Sequence, residues 1–313
     1  MNKINIIKQY KIGVLAGGCS SEREISLKSG RGVFDALTEL GLNVVFIDIR
    51  KEDESFLSGV DIDVAFIALH GKFGEDGRVQ RILSGKGVLY GGSGPDASRI
   101  AMDKIASKEI FKKNGLKVAD HILIGKNDRM SSGNIGFPCV VKPQYEGSSI
   151  GLTVVQEEAC FREAVDKAME YEGSVLVEKY IDGREITVGI LNNEALPVIE
   201  IIPDGGVYDY NAKYKSANTR YVRLDDAKIA ERAQKAALSA HLSLGCENFS
   251  RVDFRVNAEG ELFILEVNTI PGMTERSLLP MAARLAGIDF PELCLKILSS
   301  AVSRAAVPCA GRT

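Results

Sequence analysis

Residues 249–274 read FSRVDFRVNAEGELFILEVNTIPGMT, in which two apolar runs flank a short polar segment. Arg251 and Asp253 lie two residues apart in the first run, and Glu266 and Asn268 lie two apart in the second. Side chains at i and i+2 of a β-strand point to the same side of the sheet. The polar segment VNAEGE contains a glycine, as hairpin turns often do. The stretch therefore predicts two paired strands that carry polar side chains on one face.

Pairing of these strands would bring the side-chain oxygens of Asp253, Glu266 and Asn268 into one cluster. Carboxylate and amide oxygens are the ligands that hard cations such as Mg²⁺ prefer. An isolated Glu-x-Asn pattern is more often a solvated polar face of a strand. Taken alone, the stretch leaves both a metal site and a polar surface open.

Length and charge limit the classes of function. The chain has 313 residues, enough for two or three domains, and a net charge of −3 at pH 7. Its lysines and arginines form no dense stripe, whereas binding to a nucleic-acid backbone requires clustered positive charge. We therefore expect no nucleic-acid partner.

The cysteines and the apolar runs predict a cytoplasmic protein with free thiols. None of the six cysteines belongs to a Cys-x-x-Cys pair, which argues against a zinc site and a disulfide framework. No uncharged apolar run approaches the roughly 18 residues of a membrane span. The first residues, MNKINIIKQYKIGV, mix charged and apolar side chains, unlike a signal peptide. We expect no membrane association.

The N-terminal third, residues 1–103, alternates apolar strands with a helix. KIGVLAGG, NVVFIDI, DVAFIALHG and VLYGGSG are typical of strands, and SEREISLKSGRGVFDALTELG has apolar residues at helical spacing. This order predicts an α/β domain with a mainly parallel sheet. Such sheets bind ligands at the carboxyl ends of their strands, where the polar clusters at 17–22 and at His70-Gly71 fall.

Two further domains are predicted downstream. Residues 104–186 combine the helix KIASKEIFKKNG with the strands PCVVKP and SVLVEKYI, as a smaller α/β domain does. Residues 187–313 contain the strand GILNNEALPVIEI, the helix DAKIAERAQKAALSAHLSLG and the two strands of the opening stretch, as an α+β domain does. The predicted fold thus combines α/β and α+β architecture in three domains.

A glycine- and serine-rich loop follows a lysine at the end of one strand, in PCVVKPQYEGSSIG (138–151). Backbone N–H groups and hydroxyls of such a loop can surround phosphate oxygens, while Lys142 supplies a positive charge. A flexible surface hairpin is an equally good interpretation of this stretch alone. The chain has no Walker A pattern, and GVLAGG does not match the dinucleotide-binding pattern G-x-G-x-x-G.

The stretch VLVEKYIDGRE (175–185) has a polar residue, Glu178, at the end of a strand. Backbone N–H and C=O groups beside Lys179 and Ile181 could meet the edge of a planar base. An edge strand with a charged outer face accounts for the same residues, so the local pattern does not decide between the two.

Eight motifs together resemble the ATP-grasp superfamily and, more closely, its D-alanine–D-alanine ligase family. In chain order they are GGCSSEREISLKSG, LHGKFGEDG, MDK, VVKPQYEGSSIG, VEKYIDGRE, YDYNAKY, RVDF and LEVNTIPGMTERSLLP. They follow the order of the family from about residue 13 to residue 280, which makes chance a poor explanation. The resemblance implies a three-domain ATP-grasp architecture, with an N-terminal substrate domain, a central ATP-grasp domain and a C-terminal ATP-grasp domain that carries the metal site.

The resemblance also implies ligands and roles. ATP and D-alanine would be the small-molecule substrates, with two Mg²⁺ (or Mn²⁺) as cofactors and a homodimer as the assembly. Asp253, Glu266 and Asn268 would hold the metal ions, with Glu266 bridging them. The nucleotide would contact Lys104 and Lys142 through its α- and β-phosphates, Glu178, Lys179 and Ile181 through adenine, and Glu185 through ribose.

For the amino-acid substrates, the resemblance assigns Glu22 to the ammonium of the first D-alanine and His70 to the neighbourhood of its carboxylate. Arg251 and the N–H of Gly272 would stabilise the oxyanion that develops when the second substrate attacks.

Lys213 and Ser277 would hold the carboxylate of the second D-alanine. The hydroxyl of Tyr214 would join Glu22 and Ser148 and so close a loop over that substrate.

Simpler interpretations remain for some of these residues. His70 could cap the following helix, and Ser20 and Ser21 could be N-caps of the helix that bears Glu22. The stretch VYDYNAKYKSANTRY (207–221) could be an ordinary mobile loop, although excluding water from an acyl-phosphate also demands a mobile loop.

Three functions follow from the sequence. The favoured one is ATP-dependent ligation of two D-alanines through an acyl-phosphate, for peptidoglycan synthesis. A ligase that joins D-alanine to D-lactate or D-serine is the close alternative, and Tyr214 argues against D-lactate because lactate-using enzymes of the family tend to differ there. The third is a catalytically silent nucleotide-binding protein, against which the complete set of Arg251, Asp253, Glu266 and Asn268 argues.

Overall fold

The computed structural model of the chain describes residues 3–128, 130–203 and 218–305. Within these residues the strands form three sheets, which consecutive stretches of the chain build in turn. The α/β and α+β architecture predicted from the sequence is confirmed.

The first sheet is parallel and has the strand order β2-β1-β3-β4. Its strands and helices are β1 (Ile12–Gly17), β2 (Val44–Ile49), β3 (Val64–Ile67), β4 (Leu89–Tyr90), α1 (Lys3–Ile7), α2 (Arg23–Glu39), α3 (Arg78–Gly85) and α4 (Pro95–Met102). All residues of β1 and β3 are buried, as expected of central strands with neighbours on both sides.

One serine fixes the start of α2 against the carboxyl ends of the central strands. Its side chain, Ser26 Oγ, accepts from the N–H of Gly17 and donates to the C=O of Ala68, both at 2.8 Å. Gly17 has a φ of 90°, and a Cβ there would lie 2.4 Å from Asp48 Oδ1, so only glycine fits. Glu22, at the first turn of α2, is thereby held at the ligand-binding edge of the sheet.

The second sheet is antiparallel and has the order β5-β8-β6-β7. Its elements are α5 (Lys104–Lys113), β5 (His121–Gly125), β6 (Cys139–Pro143), β7 (Thr153–Val155), α6 (Phe161–Met169) and β8 (Ser174–Lys179). Residues 144–151, here called the glycine-serine loop, connect β6 to β7. The apolar face of this sheet packs on α6 through Val141, Val165 and Val177.

The third sheet is antiparallel and has the order β12-β11-β9-β13-β14, with β10 paired to β9. Its elements are β9 (Arg184–Leu191), β10 (Glu194–Ala195), β11 (Ile199–Ile202), β12 (Arg220–Arg223), α7 (Ala227–Ser243), β13 (Phe249–Val256), β14 (Leu262–Asn268), α8 (Leu278–Leu285) and α9 (Phe290–Ala305). The hairpin predicted from the opening stretch is confirmed, with Asp253 opposite Glu266 and Arg251 opposite Asn268.

The prediction of one strand over GILNNEALPVIEI was wrong. β9 ends at Leu191, and a turn at Asn192 and Asn193, with φ of 53° and 63°, leads into β10. Hairpin turns with positive φ at both central residues favour Asn and Gly, so the Asn-Asn pair was the missed signal. β9 also crosses the predicted domain boundary between residues 186 and 187.

The first and third sheets share a hydrophobic core, whereas the second has its own. One cluster combines Val14 and Phe66 of the first sheet with Leu279 and Leu293 of the C-terminal helices, and α9 packs on α2 and β4. The core of the second sheet comprises residues between 122 and 177. Helix α9 therefore packs the C-terminal third of the chain against the first sheet.

Each helix in the described part of the chain is too short or too polar to cross a membrane.

We predict that Ser26→Ala lowers the free energy of unfolding by about 1–3 kcal/mol, because it leaves a buried N–H and a buried C=O without their shared partner. The exposed Ser58→Ala is the control and should unfold like the parent. Chemical denaturation followed by circular dichroism measures the difference. Equal stability of the two variants would show that Ser26 does not fix α2.

Candidate active site

The predicted site residues that lie in the described part of the chain line two adjoining clefts. The inter-sheet cleft, between the second and third sheets, is lined by Lys104, Lys142, Glu178, Lys179, Ile181, Glu185, Asp253 and Glu266. The Glu22 cleft, at the strand ends of the first sheet, is lined by Glu22, His70, Ser148, Arg251, Glu266, Asn268, Gly272 and Ser277. Glu266 lines both clefts, so the two are continuous at β14.

Glu22 joins the first sheet to the glycine-serine loop. Its carboxylate is nearly buried and accepts a hydrogen bond from the hydroxyl of Ser148. A Cβ at Gly71 or Gly147 would lie only 2.9 Å or 3.2 Å from Glu22 Oε2. The two glycines therefore let backbone from both sides approach the carboxylate closely.

The capping interpretations of Ser20, Ser21 and His70 were wrong. Glu22 itself occupies the N-cap position of α2, and the Ser20 hydroxyl donates to the C=O of His70 at 2.7 Å. The helix after His70 begins at Arg78, with Gly77 as its N-cap.

His70 is buried in a polar pocket beside the Glu22 cleft. Its Nε2 lies 3.1 Å from Ser29 Oγ, and its Nδ1 lies 3.2 Å from the C=O oxygen of Ile270 and 3.6 Å from Glu75 Oε1. Burial by itself would lower the pKa of His70, but the hydrogen bond and negative charge of Glu75 outweigh it and raise the pKa. The imidazole is thus held between Ser29, Glu75 and the backbone of Ile270, beside the carboxylates of the cleft.

The segment after β14 brings a backbone turn and a hydroxyl together. Ser277 Oγ accepts from the N–H of Thr274 at 3.1 Å and lies 2.8 Å from Thr274 Oγ1. A Cβ at Gly272 would lie 2.8 Å from Ser277 Oγ. Glycine at this position therefore keeps both the N–H of residue 272 and the Ser277 hydroxyl at the cleft.

Two lysines surround the carboxylate of Glu178 in the inter-sheet cleft. Lys108 Nζ and Lys142 Nζ each lie 2.5 Å from one of its oxygens. Burial would raise the pKa of Glu178, but the two ammonium groups outweigh it and lower the pKa to about 2. The same attraction overcomes burial at Lys142 and raises its pKa, whereas burial prevails at Lys108 and lowers its pKa.

Lys104 reaches the same cleft from the first turn of α5. Its Nζ donates to the C=O of Glu146 at 2.6 Å and lies 3.8 Å from Glu266 Oε2. Burial lowers the pKa of Lys104. Lys104 and Lys142 thus place two ammonium groups between the glycine-serine loop and β14.

Arg255 lines the inter-sheet cleft and connects several of its other residues. Its guanidinium donates to the C=O of Ile181 at 3.0 Å and to Glu185 Oε2 at 3.4 Å, and it lies over the ring of Tyr180. The N–H of Lys179 donates to the C=O of residue 120 at 2.8 Å. These bonds use neither the C=O of Lys179 nor the N–H of Ile181.

The polar face of the β13–β14 hairpin is a connected network. Asp253 accepts from the guanidinium of Arg251 at 2.9 Å and 2.8 Å, from Asn268 Nδ2 at 3.0 Å and from the hydroxyl of Thr187 at 2.6 Å. Asp253 and Glu266 are directly opposite each other across the ladder. The three side chains are therefore neighbours, with Asn268 meeting Asp253 through its amide nitrogen, and a shared cluster of their oxygens stays a prediction.

The composition of this face fits a hard cation better than a softer metal. No group of three His, Cys, Asp or Glu side chains in the described ranges is arranged around a metal position. The hairpin offers two carboxylates and an amide, all oxygen donors, as Mg²⁺ requires, and Mg²⁺ usually completes its shell with water and phosphate. The residues therefore fit Mg²⁺ or Mn²⁺ bound together with a phosphorylated ligand.

Lys213 and Tyr214 lie outside the described residues. Three residues that contact the predicted site residues were missed by the sequence analysis: Lys108, Glu75 and Thr187. Lys108 follows Lys104 by four positions and so shares its helix face, and Glu75 belongs to the motif LHGKFGEDG. Thr187 had no such signal, since only the pairing of β9 with β13 brings it to Asp253.

Family comparisons cover most of the chain. Residues 11–61 match the family described as D-ala D-ala ligase N-terminus, and residues 110–299 match D-ala D-ala ligase C-terminus.

Individual relatives agree with this result. The D-alanine–D-alanine ligase of Citrifermentans bemidjiense is 47% identical over 298 residues, covering 94% of this chain and 97% of that protein. That of Aquifex aeolicus is 46% identical, covering 92% of this chain and 100% of that protein.

Solved structures of ligases are also similar to this chain over most of its length. The ATP complex of the Bacillus anthracis D-alanine–D-alanine ligase superposes with a TM-score of 0.85 at 34% identity, covering 95% of this chain and 99% of that one. The VanG D-Ala:D-Ser ligase of Enterococcus faecalis gives a TM-score of 0.80 at 29% identity, covering 92% and 98%. With its three sheets and its joined clefts, the chain belongs to the D-alanine–D-alanine ligase family.

Proposed function

We infer that the protein ligates two molecules of D-alanine at the expense of ATP, giving D-alanyl-D-alanine, ADP and phosphate. The observation that carries this function is the junction of the two clefts at Glu266 in a chain of this family. A cleft lined by lysines and a hairpin of oxygen ligands opens there into a cleft with a buried carboxylate and a buried histidine. A nucleotide in the first would direct its terminal phosphate at an amino acid in the second.

In the first half-reaction, a carboxylate oxygen of the first D-alanine attacks the γ-phosphorus, and the bond to the β-phosphate oxygen breaks to release ADP. Glu22 suits the ammonium of that substrate because its carboxylate is buried at the cleft. We assign His70, whose pKa is raised by Glu75, to the neighbourhood of the substrate carboxylate. These contacts orient two reactants that would otherwise repel each other.

In the second half-reaction, the amine of the second D-alanine attacks the carbonyl of the acyl-phosphate. The carbonyl oxygen becomes negatively charged; then the carbonyl re-forms as the bond to phosphate breaks, and the proton lost by the amine passes to the departing phosphate or to solvent. Arg251 and the N–H of Gly272 are the donors we assign to that oxygen, a type of contact worth about 3–4 kcal/mol per donor. Ser277, beside Gly272, would receive the carboxylate of the second substrate, together with Lys213.

Lys104 and Lys142 are assigned to the α- and β-phosphates, and the C=O of Lys179 and the N–H of Ile181 to the edge of adenine. Glu185 is assigned to the ribose hydroxyls. The hairpin ligands Asp253, Glu266 and Asn268 would hold two Mg²⁺, which neutralise phosphate charge. The homodimer and the cytoplasmic location remain predictions.

The D-Ala:D-Ser ligase among the similar structures makes the choice of second substrate the main alternative. We propose D-alanine, with Tyr214 acting on that choice through Ser148 and Glu22. A direct test measures phosphate release with D-alanine alone and with D-alanine plus D-serine or D-lactate, and identifies the product by mass spectrometry. D-alanyl-D-alanine should dominate. ATP turnover without a dependence on D-alanine would overturn the proposed function.

We predict that Glu266→Gln reduces ligation at least a hundredfold at saturating Mg²⁺, because the neutral amide no longer compensates two cations. Glu259→Gln, on the exposed hairpin turn, is the matched control and should remain active. Steady-state phosphate release measures both. Near-normal turnover of Glu266→Gln would remove this residue from the metal site.

We also predict that Glu178→Gln lowers the free energy of unfolding near pH 7 by about 3–5 kcal/mol, since it leaves buried ammonium groups without their counter-ion. The folded-state pKa of Glu178 is depressed to about 2, so its stabilisation is complete above the unfolded pKa of about 4.3. The difference in the free energy of unfolding between the parent and Glu178→Gln should therefore decrease as the pH falls from 5 towards 2.

The exposed Glu231→Gln, which removes the partner of Lys235, is the control for this measurement. Urea unfolding at several pH values compares the three proteins. A gap between parent and Glu178→Gln that stays constant from pH 7 to pH 3 would contradict a depressed pKa.

A further inference from the structure

The glycine-serine loop adopts a backbone conformation that its own residues disfavour. Ser148 and Ser149 have φ of 51° and 58°, in the left-handed region that side chains other than glycine rarely adopt. The loop also belongs to the second sheet, whose core is separate from the core shared by the first and third sheets. Contacts from outside the loop must therefore hold it over the two clefts.

One such contact is an ion-pair cluster formed by Lys72, Glu146 and Glu172. Lys72 Nζ lies 2.8 Å from Glu146 Oε1 and 3.2 Å from Glu172 Oε1. Lys72 comes from the segment after β3 in the first sheet, whereas Glu146 is in the glycine-serine loop and Glu172 precedes β8. The side chains of the two acids are 14% and 9% exposed, and that of Lys72 is 43% exposed. One ammonium group thus links the first sheet to two segments of the second.

The two acids also connect Lys72 to the backbone of the glycine-serine loop and to Lys104. The second oxygen of Glu172 accepts from the backbone N–H of Tyr145 at 2.8 Å. The backbone C=O of Glu146 accepts from Lys104 Nζ at 2.6 Å. The Lys72 cluster is therefore one hydrogen bond away from an ammonium group assigned to phosphate binding, and two residues in sequence from Ser148.

The other side of the same loop is held by Asp103. Its Oδ1 accepts from Gln144 Nε2 at 2.8 Å and from the N–H groups of Ile105 and Ala106, both at 3.1 Å. The Tyr145 hydroxyl also donates to Asp103 Oδ2 at 3.3 Å, so this network fixes residues 144 and 145 to the junction of α4 and α5. The Lys72 cluster adds a contact from residues 145 and 146 to the segment after β3.

Charge gives the cluster a second role. Glu146 lines the inter-sheet cleft, and Glu172 lies within reach of the same ammonium. Without Lys72, two carboxylates would face each other beside the position of a triphosphate, and like charges at that distance repel. Lys72 compensates their charge, although it does not itself line the inter-sheet cleft.

We propose that Lys72 is a positioning residue for ATP binding, which holds the glycine-serine loop in its closed conformation before the nucleotide arrives. The proposal rests on the proposed function of the inter-sheet cleft. Since bound ATP would hold the loop by itself, loss of Lys72 should weaken ATP binding more than it slows turnover at saturating ATP.

The test compares Lys72→Met, which keeps the length of the side chain, with Lys72→Arg, which keeps the charge. Lys86→Met is the matched control, because Lys86 pairs with Glu54 at 2.7 Å and is 49% exposed. KM for ATP and kcat are measured at saturating D-alanine, together with Kd for a non-hydrolysable ATP analogue. Lys72→Met should raise KM and Kd about three- to fivefold with kcat nearly unchanged, as the loss of a partly exposed ion-pair cluster predicts.

Hydrogen exchange without nucleotide provides a readout that does not depend on activity. Amides of residues 145–151 should exchange faster in Lys72→Met than in the parent, whereas Lys72→Arg and Lys86→Met should match the parent. The proposal would be overturned if Lys72→Met had the Kd and the exchange rates of the parent. It would also be overturned if Lys86→Met changed these quantities as much as Lys72→Met does, or if Lys72→Arg did not restore the parental values. Absence of D-alanine-dependent turnover in the parent would instead overturn the proposed function, while the binding and exchange measurements would still test Lys72.

Discussion

The antiparallel pairing of β13 with β9 and β14 determines where the polar side chains of the clefts lie. Val252 and Phe254 of β13 are fully buried against α7 and the sheet's other core residues. Because side chains alternate along a strand, burial of these two turns Arg251 and Asp253 to the opposite face. A slip of one residue would exchange the faces and place both charges in the core. The apolar pattern of the hairpin therefore fixes the site's geometry as firmly as its polar residues do.

Several buried ionisable side chains of the two clefts are tolerated because they lie beside a partner of the opposite type. Glu178 lies between two lysines, His70 beside Glu75, and Asp253 beside Arg251. Breaking one such pair leaves an uncompensated buried charge, which costs far more than an exposed pair contributes. The same pairs hold side chains in one orientation before substrates bind, so that less reorganisation is needed during the reaction. Electrostatic balance and preorganisation are thus consequences of the same contacts.

The sequence predicted those parts of the fold and site that local patterns encode. Apolar runs located the strands of the first sheet, helical spacing located α2, and a glycine between two apolar runs located the β13–β14 hairpin. Local patterns do not encode which distant side chains meet. Thr187 reaches Asp253 only through the pairing of β9 with β13, and Lys72 reaches Glu172 only because the first and second sheets face each other. The strand prediction across Asn192-Asn193 failed because apolar residues on both sides concealed a turn.

The distribution of the core explains why the contacts over the clefts are polar. The first and third sheets share buried apolar side chains, and separating them would expose those side chains to water at a large cost. The second sheet keeps its apolar side chains in its own core and meets the first sheet through Lys72 and through the hydrogen bond of Ser148 to Glu22. Partly exposed ion pairs contribute only up to about 1 kcal/mol each, so contacts of this kind can form and break in every catalytic cycle. An acyl-phosphate must be shielded from water, yet substrates must enter and products leave. A loop held by a few polar contacts over a cleft between rigid cores meets both requirements.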